Sequence, residues 1–367
     1  MKIGIFTFHC AANYGAVLQT YCLQEVLKNM GHEVYVIDYR PKYLTELYKA
    51  FFYDSTYFGS NLAKCKGFLR ACLVAPIRWK RNRVFSQFIH NHLNLYPLDL
   101  NDESNDFDVF IFGSDQIWNP KITNGFDSIY LGDFPAAKGK KLIAYAASAG
   151  SILNFSGENI GYFLSRLQCF DQVTVREKSL AEYINQKISI LPKVVFDPVL
   201  LAGIQPISLL LDHHNHNFHI PPYLLLFQIG HNNKIAQYAA KVAKKKNLQM
   251  ANIITVRESL HNKSIKQTLS VEGLLKYFQN ASYIITSSFH GTVLSILFNK
   301  QFNTISVNKS TDERSLSLLK ILHLADRLLH INDTPSSSLI DYNIIHHLYN
   351  TEKIRSYNIL NDSLLYL

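Results

Sequence analysis

Short, nearly continuous apolar runs alternate with helix-length segments along most of this chain, and that alternation restricts the fold more than any other feature. Residues 3–8, 33–37, 108–112, 142–147, 172–175 and 194–196 read as strands. A helix is predicted from about Gly15 to Asn29, closed by Gly31, and a mostly helical stretch from about Leu44 to His92, broken at Gly59-Ser60-Asn61. Strands buried on both faces carry such runs, and strands joined by helices pair in parallel. The pattern stalls between residues 201 and 222, then restarts with strands at 223–229, 252–256, 283–286 and 302–307 and helices at 234–246, 271–279 and 291–298. The class is therefore α/β, with two doubly wound domains facing a cleft. The first spans 1–200, a linker 201–222, the second 223–335, and helices follow over 336–367. Ligands of such sheets bind outside the carboxyl ends of the strands.

Composition narrows the setting. With 47% hydrophobic and 18% charged residues in 367, the chain can bury the cores of two domains and is not a disordered polymer. Its five cysteines are odd in number and form no CxxC, which points to a reducing cytoplasm rather than a disulfide or zinc framework. A strand-like run stands at the start where a signal peptide would carry a basic segment, and no apolar run reaches the roughly 18–20 residues that span a bilayer. A net charge of +9 draws anionic partners: nucleic acid, anionic lipid or phosphorylated substrates. The segment Arg78-Trp79-Lys80-Arg81-Asn82-Arg83 mixes Trp with cations as a membrane-surface patch does, although a solvated helix face reads the same way. The run Asp212-His213-His214-Asn215-His216-Asn217-Phe218-His219 fits no zinc spacing and stands where a linker is expected, so no metal site is assigned.

Five strand-to-helix junctions carry the polar groups. In Thr286-Ser287-Ser288-Phe289-His290-Gly291-Thr292, Ser287 and Ser288 are candidate N-caps, free amides face outward, His290 adds a proton or positive charge, and Gly291 admits a close ligand. The turn from Phe8 to Ala16 sets Asn13 and Gly15 at a helix start; it is not GxGxxG and has no Walker lysine. Gly113-Ser114-Asp115-Gln116-Ile117-Trp118-Asn119 offers Trp118 for sugar stacking, polar groups for hydroxyls and Asp115 as a base. Arg176 ends a strand, where a guanidinium matches a carboxylate or a phosphate, and Glu177 either holds it or caps the next helix. Arg314, in Asp312-Glu313-Arg314-Ser315, is placed to reach the same cleft from the second domain.

In order along the chain, Asn13-Tyr14-Gly15-Ala16-Val17-Leu18-Gln19, Gly113 to Asn119, Ala147-Ser148-Ala149-Gly150, Val175-Arg176-Glu177, Asp197-Pro198-Val199-Leu200-Leu201 and Ser287-Ser288-Phe289-His290-Gly291-Thr292 resemble the polysaccharide pyruvyl transferase family. The resemblance implies a GT-B-like pair of Rossmann-like domains, with the last helices returning to the first. It implies transfer of a pyruvyl group from phosphoenolpyruvate to two hydroxyls of a sugar, giving a cyclic ketal and phosphate without a cofactor. Arg176 and His290 are then the positions expected at phosphoenolpyruvate. Ser288 and the amides of Gly291 and Thr292 would complete an anion site, Asp115 would be the base, and Asn13 and Gln116 would position the sugar. The expected partners are phosphoenolpyruvate and a free or lipid-linked sugar acceptor, with peripheral contact to an anionic membrane and no nucleic acid. A nucleotide-sugar glycosyltransferase, gripping the nucleoside near 255–275, and a non-catalytic sugar- or phosphate-binding protein are the competing readings.

Overall fold

The computed structural model describes residues 1–54, 56, 59–155, 159–212, 221–257, 265–307, 309–331, 333–335 and 338–365. The first half runs β1 (Lys2–Phe6), α1 (Tyr14–Asn29), β2 (Glu33–Ile37), α2 (Lys42–Leu47), α3 (Asn61–His92), β3 (Leu95–Tyr96), β4 (Val109–Phe112), α4 (Pro120–Thr123), β5 (Lys141–Ala147), α5 (Ile160–Leu167), β6 (Gln172–Val175), α6 (Lys178–Ile188) and β7 (Lys193–Val194). Helices α7 (Pro198–Ala202) and α8 (Ile204–Asp212) lead to the second half: β8 (Tyr223–Gly230), α9 (Asn233–Lys245), β9 (Gln249–Arg257), β10 (Ile265–Lys266), α10 (Val271–Asn280), β11 (Tyr283–Thr286), α11 (Phe289–Leu297), β12 (Phe302–Ile305), α12 (Lys309–Ile321), β13 (Leu328–Leu329) and α13 (Tyr342–Leu365).

Both sheets are parallel. The first has the order β3-β2-β1-β4-β5-β6-β7 and the second β10-β9-β8-β11-β12-β13. Each order reverses direction once, between β1 and β4 and between β8 and β11, and at such a switch point two strand ends diverge and leave a crevice. The apolar runs are explained by burial on both faces. Ile3 and Ile5 face α1 and α13, Phe6 faces Phe110, Phe112 and Phe134, and Leu224, Leu225 and Leu226 are fully enclosed.

One core joins the halves. Tyr14, Val17 and Leu18 of α1 pack with Leu274 and Phe278 of α10 and Phe289 and Val293 of α11, and the Tyr14 hydroxyl donates to the Leu269 carbonyl at 2.7 Å. The expected linker is not open chain where it is described. Up to Asp212 it forms α7 and α8, whose Ile207 and Leu210 enter that core; residues 213–220, with the histidine run, lie outside the described residues. Helix α13 returns to the first sheet. Ile359, Leu360 and Leu364 cover Ile3, Ile5 and Ile143, and the amide of Phe196 donates to the Ser356 hydroxyl at 3.0 Å. No helix among the described residues is long and apolar enough to cross a membrane.

Leu360 is fully buried between α13 and the first sheet. Leu360→Ala is expected to lower the unfolding free energy by about 2–5 kcal/mol, the range for a large-to-small core substitution, measured by denaturant unfolding.

Candidate functional site

The two switch points open onto one cavity of about 170 Å³. From the first domain it is lined by the β1–α1 turn (Phe8, Ala11, Asn13, Gly15), by Leu44 and Tyr48, and by Asp115 and Gln116 after β4. The second domain contributes Phe227 and Ile229 of β8, then Ser288, Phe289 and His290 at the start of α11, and Arg314 of α12. Larger depressions exist: 420 Å³ beside α3, and 590 Å³ between α6, α12 and α13. The second of these has charged groups that pair along their own helices, Lys178 with Glu182 and Arg355 with Glu352, so it concentrates little charge. The small cavity does the opposite.

Behind His290 and Asp115 of its lining lies a buried ion-pair network. Asp197 sits at the N-cap of α7, where its Oδ1 accepts from the Val199 amide at 2.9 Å. Its Oδ2 lies 2.9 Å from Nη2 of Arg176, 3.6 Å from Nε2 of His290 and 3.4 Å from the Ser114 hydroxyl. Burial pushes this carboxyl up, but the Arg176 guanidinium and the nearby His290 imidazole overcome it and hold it down at about 2. Arg176 leaves the end of β6 with 5% of its surface exposed. It donates to the Ser114 hydroxyl and has Nη1 3.9 Å from Asp115. The Phe289 ring is approached by two cations, the Arg176 guanidinium at 5.3 Å and that of Arg314 at 5.5 Å from its centroid. Glu177, buried at the start of α6, accepts from the Ser148 hydroxyl. Burial pushes its carboxyl up, partly countered by Arg314. Burial lowers the pKa of Arg314 in turn, countered by Glu177.

What the cations leave unused is as informative. Nε and Nη1 of Arg176, Nε of Arg314 and Nε2 of His290 are buried without a hydrogen-bond partner. Buried donors rarely stay unmatched, so the nitrogens of Arg314 and His290 on the cavity lining, with those of Arg176 packed behind Phe289 and Asp115, fit an anion with several acceptor oxygens.

Two glycines fix this geometry. A Cβ on Gly15 would fall 2.1 Å from Nδ1 of His290, so the first turn of α1 must be bare for the imidazole to lie across it toward Asp197. A Cβ on Gly291 would meet Thr286 Oγ1 at 2.1 Å and Phe227 at 2.9 Å. Gly291 thus serves helix-to-strand packing, not the approach of a ligand as its sequence position suggests. Asn13 caps α1 by accepting from the Gly15 amide at 2.9 Å, and Gln116 accepts from Asn119 at 2.8 Å.

Other expectations change as well. Ser288 is the N-cap of α11, makes no capping bond with its side chain and faces the cavity; Ser287 is not on the lining, and its amide is spent on the Phe227 carbonyl. The Thr292 amide donates to Ser288 at 3.0 Å and its hydroxyl pairs with Thr304, so Thr292 supplies nothing to an anion. The unpaired amides of this helix fall at Phe289, His290 and Gly291. Trp118 is not a stacking platform: 1% exposed, it donates to the Tyr130 carbonyl at 3.1 Å and packs edge-on to Phe163. Asp197, to which the sequence assigns no role, is the centre of the network. Glu313 ties α12 to the first domain through Ser179 at 3.1 Å and Ser151 at 3.5 Å.

Asp197 carries a depressed pKa. Its contribution to stability is therefore full above the ordinary carboxylate value near 3.9 and is lost as pH falls through about 2. Asp197→Asn is expected to cost about 3–5 kcal/mol at pH 7 by leaving Arg176 buried and unpaired, and to lack the wild-type loss of stability between pH 4 and pH 2. Thermal unfolding across that range measures both.

Comparisons with known proteins identify a family and a fold. The model of the polysaccharide pyruvyl transferase family matches residues 13–309. Among solved structures, UDP-GlcNAc 2-epimerase from Methanocaldococcus jannaschii superposes with a TM-score of 0.50 at 11% identity, over 99% of this chain and 100% of the other, and shares the two-domain GT-B-like fold. UDP-GlcNAc 2-epimerase from Neisseria meningitidis bound to UDP-GlcNAc gives 0.49 at 10% identity, covering 100% of both chains. Arabidopsis thaliana UGT89C1 complexed with UDP gives 0.49 at 13% identity, covering 100% of this chain and 99% of the other. A search of curated proteins finds no significant match.

Proposed function

Because this chain belongs to the polysaccharide pyruvyl transferase family, we propose that it transfers the pyruvyl group of phosphoenolpyruvate to two hydroxyls of a sugar in a polysaccharide precursor, forming a cyclic ketal and releasing phosphate. The observation that carries this reading is the set of unmatched donor nitrogens on Arg314 and His290, which line one small cavity, and on Arg176, which packs against its lining residues Phe289 and Asp115. Phosphoenolpyruvate presents a carboxylate and a phosphate close together, which suits two guanidiniums that both approach one phenyl ring. Size supports the same donor. A cavity of about 170 Å³ lies below the roughly 300–1,000 Å³ of pockets that bury drug-sized ligands, and a nucleotide sugar is larger than most of those. The competing nucleotide-sugar reading needed a nucleoside grip near 255–275; the side chains of 255–257 and all of 258–264 lie outside the described residues.

In this account a proton goes to the methylene carbon of the enol, and its neighbour becomes an oxocarbenium-like centre. One sugar hydroxyl attacks that carbon and gives up its proton to a base, the C–O bond to phosphate breaks with the electron pair leaving on phosphate, and the second hydroxyl closes the ring with loss of its own proton. His290, held by Asp197 and seated on Gly15, is proposed to supply the proton or to stabilise the departing phosphate. Arg176 and Arg314 hold the anion with the amides at the start of α11. Asp115, at the mouth of the β4 crevice, is the proposed base for a hydroxyl, and Asn13 and Gln116 are proposed sugar contacts. The resident groups supply the positive potential, so no further cofactor is invoked.

The test incubates the protein with phosphoenolpyruvate and candidate sugars and follows phosphate release together with pyruvyl addition to the sugar. His290→Ala is expected to lower turnover by about 10²–10⁴-fold while the melting temperature stays close to wild type. Full activity in that variant removes His290 from the chemistry. Gly15→Ala, which touches no substrate group of its own, is expected to lower kcat at least tenfold by displacing His290; unchanged kcat contradicts the seating described above.

A further inference from the structure

We propose that α3 docks the protein on an anionic lipid bilayer. This inference rests on the surface of the helix and stands apart from the pyruvyl reading. Helix α3 runs from Asn61 to His92, and its sequence holds seven Lys and Arg and no Asp or Glu. Its inner face is ordinary core: Ala71, Val74, Phe85, Phe88 and Ile89 are buried. The opposite face should then be polar in a helix that meets only water. It is not. Leu62, Leu69, Leu73, Pro76, Lys80 and Arg83 recur at helical spacing and are all exposed, the three leucines at 67%, 60% and 63%. Trp79, 58% exposed, flanks this stripe beside the Arg83 guanidinium, 5.7 Å from its ring, and exposed Phe68 flanks it further back.

Apolar residues that end in a cationic turn, with an interfacial Trp, are what a helix lying at the headgroup–acyl boundary needs. The sequence placed the patch at residues 78–83. The structure moves it along the helix and turns it, because Arg81 is buried and Arg78 belongs to the wall of a separate groove. The other occupants are less well matched. Nucleic acid rewards the cations but not three exposed leucines, and a second copy of α3 would bring cations against cations with no carboxylate on the helix to answer them. The inner face of α3 adjoins the cavity instead: Asn82 donates to the carbonyl of Tyr48, which lines it, and Phe85 packs against Tyr14 at 4.8 Å, while the docking stripe lies on the other side of the helix.

The chain has two tryptophans, and the other, Trp118, is buried at 1% exposure, so a fluorescence change on adding vesicles reports Trp79. With the full chain and vesicles of phosphatidylglycerol and phosphatidylcholine, the expected results are a blue shift of emission and co-sedimentation, both reduced by salt and absent with pure phosphatidylcholine. Lys80→Glu with Arg83→Glu, and separately Leu69→Ser with Leu73→Ser, should each weaken vesicle binding about tenfold or more without changing the melting temperature or turnover of a soluble acceptor. Absence of both shift and sedimentation in the wild type overturns the proposal. So does equal binding by wild type and both variants, or a concentration-dependent dimer, lost in the leucine variant, in place of vesicle binding. If the variants fold poorly, the wild-type shift and its salt dependence decide alone. Failure of phosphoenolpyruvate turnover bears on the other reading only.

Discussion

The buried pair of Arg176 and Asp197 is the constraint on which the rest of the site depends. Two charges out of water are stable only with near-complete pairing, and each here reaches beyond the other. Asp197 takes the Val199 amide at the start of α7, Ser114 after β4 and His290 from the second domain. Arg176 spends one Nη on Asp197 and Ser114 and keeps Nε and Nη1 unmatched. One of these groups comes from α11, so the pair adds a polar contact between the two domains beside the apolar core that joins them. The bare backbone at Gly15 is the steric condition for that approach.

This arrangement explains why the crevice is small. GT-B-like domains present two switch points to each other, and here α1, α10 and α11 fuse into one apolar core beneath them. What remains is a pocket for a compact anion, walled by Phe289, Tyr48 and Leu44, with the charged network behind its lining. Low dielectric surroundings strengthen each interaction of that charge, which suits binding of an anion and stabilisation of its departure.

The sheet-forming runs were legible because parallel strands buried on both faces leave no polar alternation to read. The expected strands at 33–37, 172–175 and 283–286 coincide with β2, β6 and β11. Of the four two-residue edge strands, β7 overlaps the expected run at 194–196 by one residue, and β3, β10 and β13 were not legible, since so short a segment carries no period. At the site, sequence marked the junctions that hold Asn13, Asp115, Arg176, His290 and Arg314, because polar residues after an apolar strand are visible as such. Direction was not visible. Trp118 points into the aromatic cluster with Phe163 and Phe170, and Gly291 answers to Thr286 rather than to a ligand. Asp197 was the costliest omission. Its partners come from β6, the β4 loop and another domain, and no local pattern announces a carboxylate whose role is set entirely by topology.

The account turns on whether the shared cavity is a site for a small dianion, and calorimetry asks this directly, without an acceptor. Titration of phosphoenolpyruvate into wild-type protein should give saturable binding that inorganic phosphate weakens by competition and Arg314→Ala abolishes, with no heat from a UDP-sugar. Binding of the UDP-sugar with none of phosphoenolpyruvate, or phosphoenolpyruvate binding indifferent to Arg314, would contradict it.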